Sequence, residues 1–214
     1  MSWIHKYLSA EEIKNIESTI VRVETETCGE IVPVIVRRSS TIGHIPLTLT
    51  LLLVLLLIIL ELPWSDWLWV QPWVWIWPVL VIAIYAISHF LVRFKWIQKI
   101  FVPERDEVDQ VHQRAQLEFY KNRIHGTENS TGILLFVSVM EKKAVILADE
   151  GISKVLPKET WDEVLALLGS HLHKGSWGKG FVEAIELCGG LLKTHFPIQP
   201  GSQDELKNHL IIKD

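Results

Sequence analysis

Ten consecutive residues, Leu51 to Leu60, carry no polar side chain, and that run constrains this chain more than any other feature. Extending it back to Ile42 gives nineteen residues, with Gly43 and His44 at the outer edge. A helix needs about 20 such residues to cross a hydrocarbon core of about 30 Å. A second apolar stretch, Trp73 to Val92, has twenty residues and no formal charge, with Pro78 near its start. A signal peptide would open at Met1 behind a basic flank, whereas the first forty residues here are charged and amphipathic. Two such stretches in tandem predict a transmembrane helical hairpin over residues 42–92, with spans at about 42–61 and 73–92.

Charge sets its expected orientation. Between the spans lie Glu61 and Asp66 but no Lys or Arg, while Arg37 and Arg38 precede the first span and Arg93, Lys95 and Lys99 follow the second. The positive-inside rule places both termini in the cytoplasm of a two-span protein of the inner membrane. Trp64, Trp67, Trp69, Trp73, Trp75 and Trp77 cluster at the turn, where amphipathic rings prefer the headgroup layer. Together with Arg37, Arg38, Arg93 and Lys95 they form the expected membrane interface. His44 and His89 fall at the span edges and read as interfacial residues.

The rest of the chain reads as one soluble domain split by the hairpin. Apolar residues make up 49% of the chain and charged ones 21%, which excludes a disordered chain. Twenty-one basic against twenty-five acidic residues, a net charge of -4, leave no footprint for nucleic acid. Ser9 and Glu12 have capping-box spacing, and Ile13, Ile16, Ile20 and Val23 follow at helical intervals, predicting a helix to about Thr27. Glu30 to Val36 is β-branched and apolar and predicts a strand; Pro33 within it argues for an edge position or an irregular start. A helix and a strand in forty residues bury too little surface to stand alone, so their partners must follow the hairpin.

Glu104 to Ile124 predicts a polar helix with Val108, Val111, Ala115 and Phe119 on its apolar face. Gly132–Ser138 and Ala144–Ala148, joined through Glu141, Lys142 and Lys143, predict an antiparallel hairpin. Two helices follow, Trp161 to His173 and about Lys179 to Thr194, before Pro197, Pro200 and Gly201 open a polar tail. The expected architecture is an α/β sandwich with helices over a small mixed sheet. Residues 1–41 and 93–196 form its two parts, 42–92 the hairpin, and 197–214 the C-terminal tail.

Signals for chemistry are sparse. Cys28 and Cys188 have no CxxC partner and no nearby His, so they read as reduced thiols. His171 and His173, two apart on a helix, point about 200° from each other and do not converge on one ion. Gly175-Ser-Trp-Gly-Lys-Gly180 precedes a helix, as phosphate cradles do, but follows a helix rather than a strand and reads as a helix–helix turn. Asp149 and Glu150 follow a strand, Glu128 lies in the loop before another, and Glu30 opens a third. Carboxylates at such a rim are candidate ligands for calcium or magnesium; the competing reading is ordinary solvated turn acids.

The order of several short segments resembles the TPM domain family, the thylakoid-lumen-protein or phosphatase-like TPM fold. These are Leu8–Glu12, Cys28–Ile31, Gly132–Ser138, Lys143–Ala148 with Gly151-Ile152, and Gly180–Ile185. The chain looks most like bacterial membrane proteins in which a hydrophobic hairpin interrupts that domain. The resemblance implies an αβα sandwich, divalent-ion binding in some members, acid phosphatase activity in some plant members, and assembly or repair of membrane complexes in others. This chain departs from the family at its acidic positions. It reads Asn129-Ser130-Thr131-Gly132 where Asp-Asn-Gly is frequent, Val155-Leu156-Pro157 where a Thr-Asp pair is frequent, and Gly178-Lys179-Gly180 where Asp precedes Gly. Lys179 puts a positive charge where a ligand is wanted.

The function expected from the sequence is therefore a membrane-anchored, non-catalytic interaction or accessory module. Its expected partners are the lipid bilayer and a membrane or cytoplasmic protein, or a second copy of the chain. A divalent-metal-dependent phosphatase is the alternative.

Overall fold

The Ser9 hydroxyl accepts a hydrogen bond from the Glu12 backbone N–H at 3.1 Å, while the Glu12 carboxylate accepts from the Ser9 N–H at 2.8 Å. This reciprocal cap opens α1, Ala10–Glu24, which ends three residues before the expected Thr27. The computed structural model describes residues 3–40, 45–61, 76–94, 97, 104–127, 129–199 and 205–214. Among these are four strands and seven α-helices. The strands are β1 (Glu30–Val36), β2 (Gly132–Ser138), β3 (Lys143–Ala148) and β4 (Ile211–Lys213). The helices after α1 are α2 (Ile45–Glu61), α3 (Ile76–Leu91), α4 (Glu104–Lys121), α5 (Glu150–Ser153), α6 (Asp162–Lys174) and α7 (Trp177–His195). The chain divides into two units, Met1–Ser40 with Val108–Asp214, and Thr41–Glu107.

In the first unit the strands form one mixed sheet in the order β3-β2-β1-β4. β1 runs parallel to β2 and β4, and β2 pairs antiparallel with β3. Because side chains alternate along a strand, β1 and β2 feed two separate cores. Ile31, Ile35, Ile133, Leu135 and Val137 pack with Ile16 and Ile20 of α1, Leu168 of α6 and Phe181, Ile185 and Cys188 of α7. On the opposite face Val32, Val34, Val36, Leu134 and Phe136 pack with Val111, Ala115 and Phe119 of α4. Each large buried side chain contributes about 1.5–3 kcal/mol, so both helical layers are held by the same two strands. The expected α/β fold with a small mixed sheet is present. Val108, expected on the buried face of α4, is 47% exposed.

Pro33 does not put β1 at an edge. Even-numbered residues of β1 direct their backbone groups to β2, as the Glu30 N–H to Thr131 O and Val139 N–H to Val36 O bonds show. Odd-numbered residues therefore face the β4 side, where the Arg37 N–H donates to Lys213 O. Pairing with β4 begins only at Val34, so the nitrogen of Pro33 points where no strand needs a donor. One residue pair earlier, the Ile31 N–H is taken by the Glu24 carboxylate at 2.8 Å. β4 itself arises from the stretch expected as a polar tail: Ile211–Lys213 pair with Val34–Val36, and Leu210 beside them is buried.

In the second unit α2 and α3 pack on each other, with Ile45, Val92 and Ile97 buried at one end and the Thr50 hydroxyl donating to Pro46 O. No residue of α2 before Glu61 is charged. Leu47, Leu51, Leu52, Leu55, Leu56, Ile58, Ile59 and Leu60 are all exposed, which at 100° per residue covers more than half the helix circumference. α3 exposes Val79, Val81, Ile82, Tyr85, Ile87 and Phe90. α2 and α3 are 17 and 16 residues long, about 26 and 24 Å at 1.5 Å per residue. Among the described residues no helix is long and apolar enough to cross a membrane. The first residues of the expected spans, 42–44 and 73–75, lie outside the described residues, as do Trp64, Trp67, Trp69, Trp73, Trp75 and Lys95; Trp77 is the second residue of α3.

Candidate functional site

The expected acidic rim lies where β1 and β2 begin and β3 ends. Glu30 pairs in register with Gly132, and the Asp149 N–H donates to Gly132 O, so Gly132 stands between the two acids on the sheet. Glu30 is buried, and its Oε1 accepts from the Glu205 N–H at 3.2 Å. Asp149 caps α5, its Oδ1 accepting from the Glu150 N–H at 2.7 Å, while its Oδ2 is buried with no partner among the described residues. Glu150 is exposed and pairs with Lys154 at 2.8 Å, whose ammonium lowers its carboxyl below the usual value. Glu128 lies outside the described residues.

Among the described residues this rim does not gather a set of metal ligands. A Cβ on Gly132 would lie 2.2 Å from the Ile124 carbonyl oxygen, so the Ile124 backbone packs directly over the residue separating Glu30 from Asp149. Calcium takes six to eight oxygens at about 2.3–2.6 Å, and the one unpartnered oxygen of Asp149 is far from such a set. Among the described residues no three His, Cys, Asp or Glu side chains come together as a metal would need. Glu30, Asp149 and Glu150 share a rim without converging.

The opposite end of the sheet holds a group that sequence reasoning missed. Glu141 follows β2 and turns its carboxylate back onto the strand ends. Its Oε1 accepts from the Ser40 N–H at 3.0 Å and the Ser40 hydroxyl at 2.5 Å. Its Oε2 accepts from the Ser138 hydroxyl at 2.5 Å and the Ser39 N–H at 3.3 Å, and the Ser39 hydroxyl donates to Ser138 at 2.8 Å. Burial alone would raise this carboxyl, but these donors outweigh it and hold it below the ordinary value. Glu141 thereby fixes the last two residues of the first unit before the chain enters Thr41. Only the parallel pairing of β1 with β2 brings Ser39 and Ser40 to Glu141, a juxtaposition that local sequence does not signal.

A second network ties β4 to α4. Glu118 is a buried acid whose carboxylate accepts from Lys213, from Arg114 at 3.1 Å and from Asn122 at 3.3 Å. Burial pushes its carboxyl up, and the two cations outweigh that and leave it lowered. Arg114 also reaches the carbonyl oxygen of Asp214 at 3.5 Å, and the Trp3 indole N–H donates to the Asp214 carboxylate at 2.6 Å.

The glycine-rich segment is a helix–helix turn. Gly175, at a φ of 79°, ends α6 with the Ser176 N–H donating to His171 O. Gly180 permits a close crossing, since a Cβ there would lie 2.6 Å from the His171 Cβ. His171 then clamps the turn, with Nε2 3.0 Å from a Glu183 oxygen and Nδ1 2.9 Å from the Ser176 hydroxyl. The Glu183 carboxylate requires the proton on Nε2, so in the neutral ring Nδ1 accepts from Ser176. His173 is engaged separately, against Gly169 O. Of the cysteines, Cys28 donates to Pro197 O, and Cys188 is buried, which pushes its thiol up to about 12. Arg37 and Arg93 are exposed and Arg38 is half-buried.

Residues 97–190 match the family model for the TPM domain. The match takes in less than half of the chain's 214 residues. The matched residues include β2, β3 and all of α4 to α6, whereas α1, β1 and β4, which complete the same sheet and its cores, lie outside them. The chain is also similar in fold to the BA42 protein of the psychrophilic bacterium Bizionia argentinensis, whose structure was determined by NMR. The TM-score is 0.61 at 23% identity, covering 99% of each chain, and the likeness is one of fold. A comparison with curated proteins gives no match.

Proposed function

We propose that this chain is an integral membrane protein in which the apolar helical pair anchors the TPM domain at the bilayer, where the domain serves as a non-catalytic interaction or accessory module. The observation that carries this reading is the apolar exposure of α2 and α3. A helix in water shows a polar face, and one that is apolar all round needs a protein core or lipid around it. Lipid is favoured because the apolar sequence continues past both described segments, back to Ile42 and back to Trp73. The Lys and Arg residues flanking the pair, with none between, favour the cytoplasm for both termini and the inner membrane as the location. A partner protein, or a second copy of the chain, would be the domain's ligand. The phosphatase alternative has less support, because the rim acids do not converge and Glu150 is engaged by Lys154.

Membranes from cells expressing the full chain, washed at alkaline pH, test the anchoring. The chain is expected to stay with the lipid pellet, and a reporter fused after Asp214 is expected to be active only if it functions in the cytoplasm. Complete release into the wash would contradict the anchor, and reporter activity confined to the outside would contradict the orientation.

A further inference from the structure

The sheet of the TPM domain is electrically polarised along its strands. Glu30, Asp149 and Glu150 lie at one end, and at the other stand Arg37, Arg38, Lys142 and Lys143. The four cations are brought together by pairing. Lys143 is opposite Ser138, which is opposite Val36, and the Arg37 carbonyl accepts from the Met140 N–H. Arg37 and Lys142 are exposed and Arg38 and Lys143 half-buried, and among the described residues none has a carboxylate within salt-bridge distance. The two acids at this end are turned elsewhere, Glu141 onto the serines and Asp214 to Trp3. Lys142 also holds a left-handed backbone, φ 53°, at a turn position where Gly or Asn is less strained. This is also the end from which the chain leaves the sheet toward the apolar stretch that begins at Ile42 in sequence.

We infer that Arg37, Arg38, Lys142 and Lys143 form a docking surface for anionic lipid headgroups, which presses this end of the TPM domain to the bilayer and turns the acidic rim away from it. The inference rests on the membrane anchor proposed above. Anionic lipid is the occupant that fits, because Arg37 and Arg38 stand four to five residues before the apolar stretch in sequence and a polybasic patch beside a membrane segment gains from each charge it brings to the surface. Glu141 acts as a positioning residue by holding Ser39 and Ser40 against the turn that carries the lysines.

The test uses the full chain with Cys28→Ser, since buried Cys188 takes no label, and a single fluorophore on Met140→Cys or on Glu150→Cys. The protein is reconstituted in vesicles containing a headgroup quencher, made of phosphatidylcholine alone or with phosphatidylglycerol. Quenching at position 140 is expected to rise by about two-fold or more with phosphatidylglycerol, and to fall back with K142Q/K143Q or in about 1 M salt, where the screening length is about 3 Å. Quenching at position 150 is expected to stay low throughout. Equal quenching at 140 in both vesicles, or no effect of K142Q/K143Q, would overturn the inference. An alkaline wash of the same vesicles separates the two proposals: retention with no lipid dependence sinks only the docking surface, and release of the chain sinks both.

Discussion

Replacing Glu118 by Ala is expected to destabilise the unit built on the sheet by about 3 kcal/mol, a fall in Tm on the order of 10 °C for a unit of this size. The side chain of Glu118 is 1% exposed and faces two cations, Lys213 and Arg114, whose own side chains are 32% and 29% exposed. Removing the acid leaves both without their counter-charge, but their partial exposure lets water compensate in part, which puts the cost at the low end for a buried pair. Exposed pairs such as Arg22–Glu186 and Lys193–Glu26 should matter far less, at most about 1 kcal/mol each. Glu118→Gln isolates the charge. Since the folded pKa of Glu118 lies below its ordinary 4.5, its contribution is fully present above that value and is lost as pH falls through the folded one. The difference in Tm between the native chain and Glu118→Gln should therefore shrink on acidification below about pH 4.5. A difference that stays constant from neutral to acid pH would show that the charge is not what holds β4.

Gly132→Ala is expected to be as damaging, at about 3 kcal/mol, the upper range for overpacking. The added carbon would lie 2.2 Å from the Ile124 carbonyl oxygen and 2.6 Å from the Ile124 Cγ2. The first of these is backbone in the turn Ile124–Gly126, which cannot step aside as a side chain would. Either β2 shifts out of register with Glu30 and Ala148 or the turn lifts from the sheet and uncovers Phe119 and Phe136. Gly169→Ala, in α6 with open space around it, is the control and should be neutral or mildly stabilising. Equilibrium unfolding of both variants measures this, and equal stability of the two would refute the close approach at Gly132.

Where a local rule was complete, the sequence was readable. Ser9 and Glu12 carried the first cap, and β2 occupies the span that its apolar run defined. Features that depend on distant pairing were not legible. Pro33 suggested an edge because its missing donor was weighed without knowing which neighbour its nitrogen would face. Ile211-Ile212 is too short to announce a strand until the open edge of β1 is known, so β4 passed for a tail. Glu118 was not singled out on its polar helix, because nothing near it in sequence shows that Lys213 will arrive from the far end of the chain. The rim acids show the reverse: strand-end positions were foreseen, yet the Ile124 backbone that parts Glu30 from Asp149 came from a loop with no such signal.

The central claim is that the apolar helical pair lies in lipid, and cysteine accessibility in intact membranes tests it most directly. Leu55 and Ile82 are 51% and 67% exposed, so the described residues leave both side chains open to their surroundings. In a Cys28→Ser background, Leu55→Cys and Ile82→Cys are expected to resist a water-soluble maleimide until the membranes are dissolved and the protein unfolded. Glu150→Cys, at an exposed position of the acidic rim, should react at once when the membrane face that carries the sheet is open to the reagent. Labelling of positions 55 and 82 as fast as position 150 in intact membranes would place the helices in water and contradict the anchor.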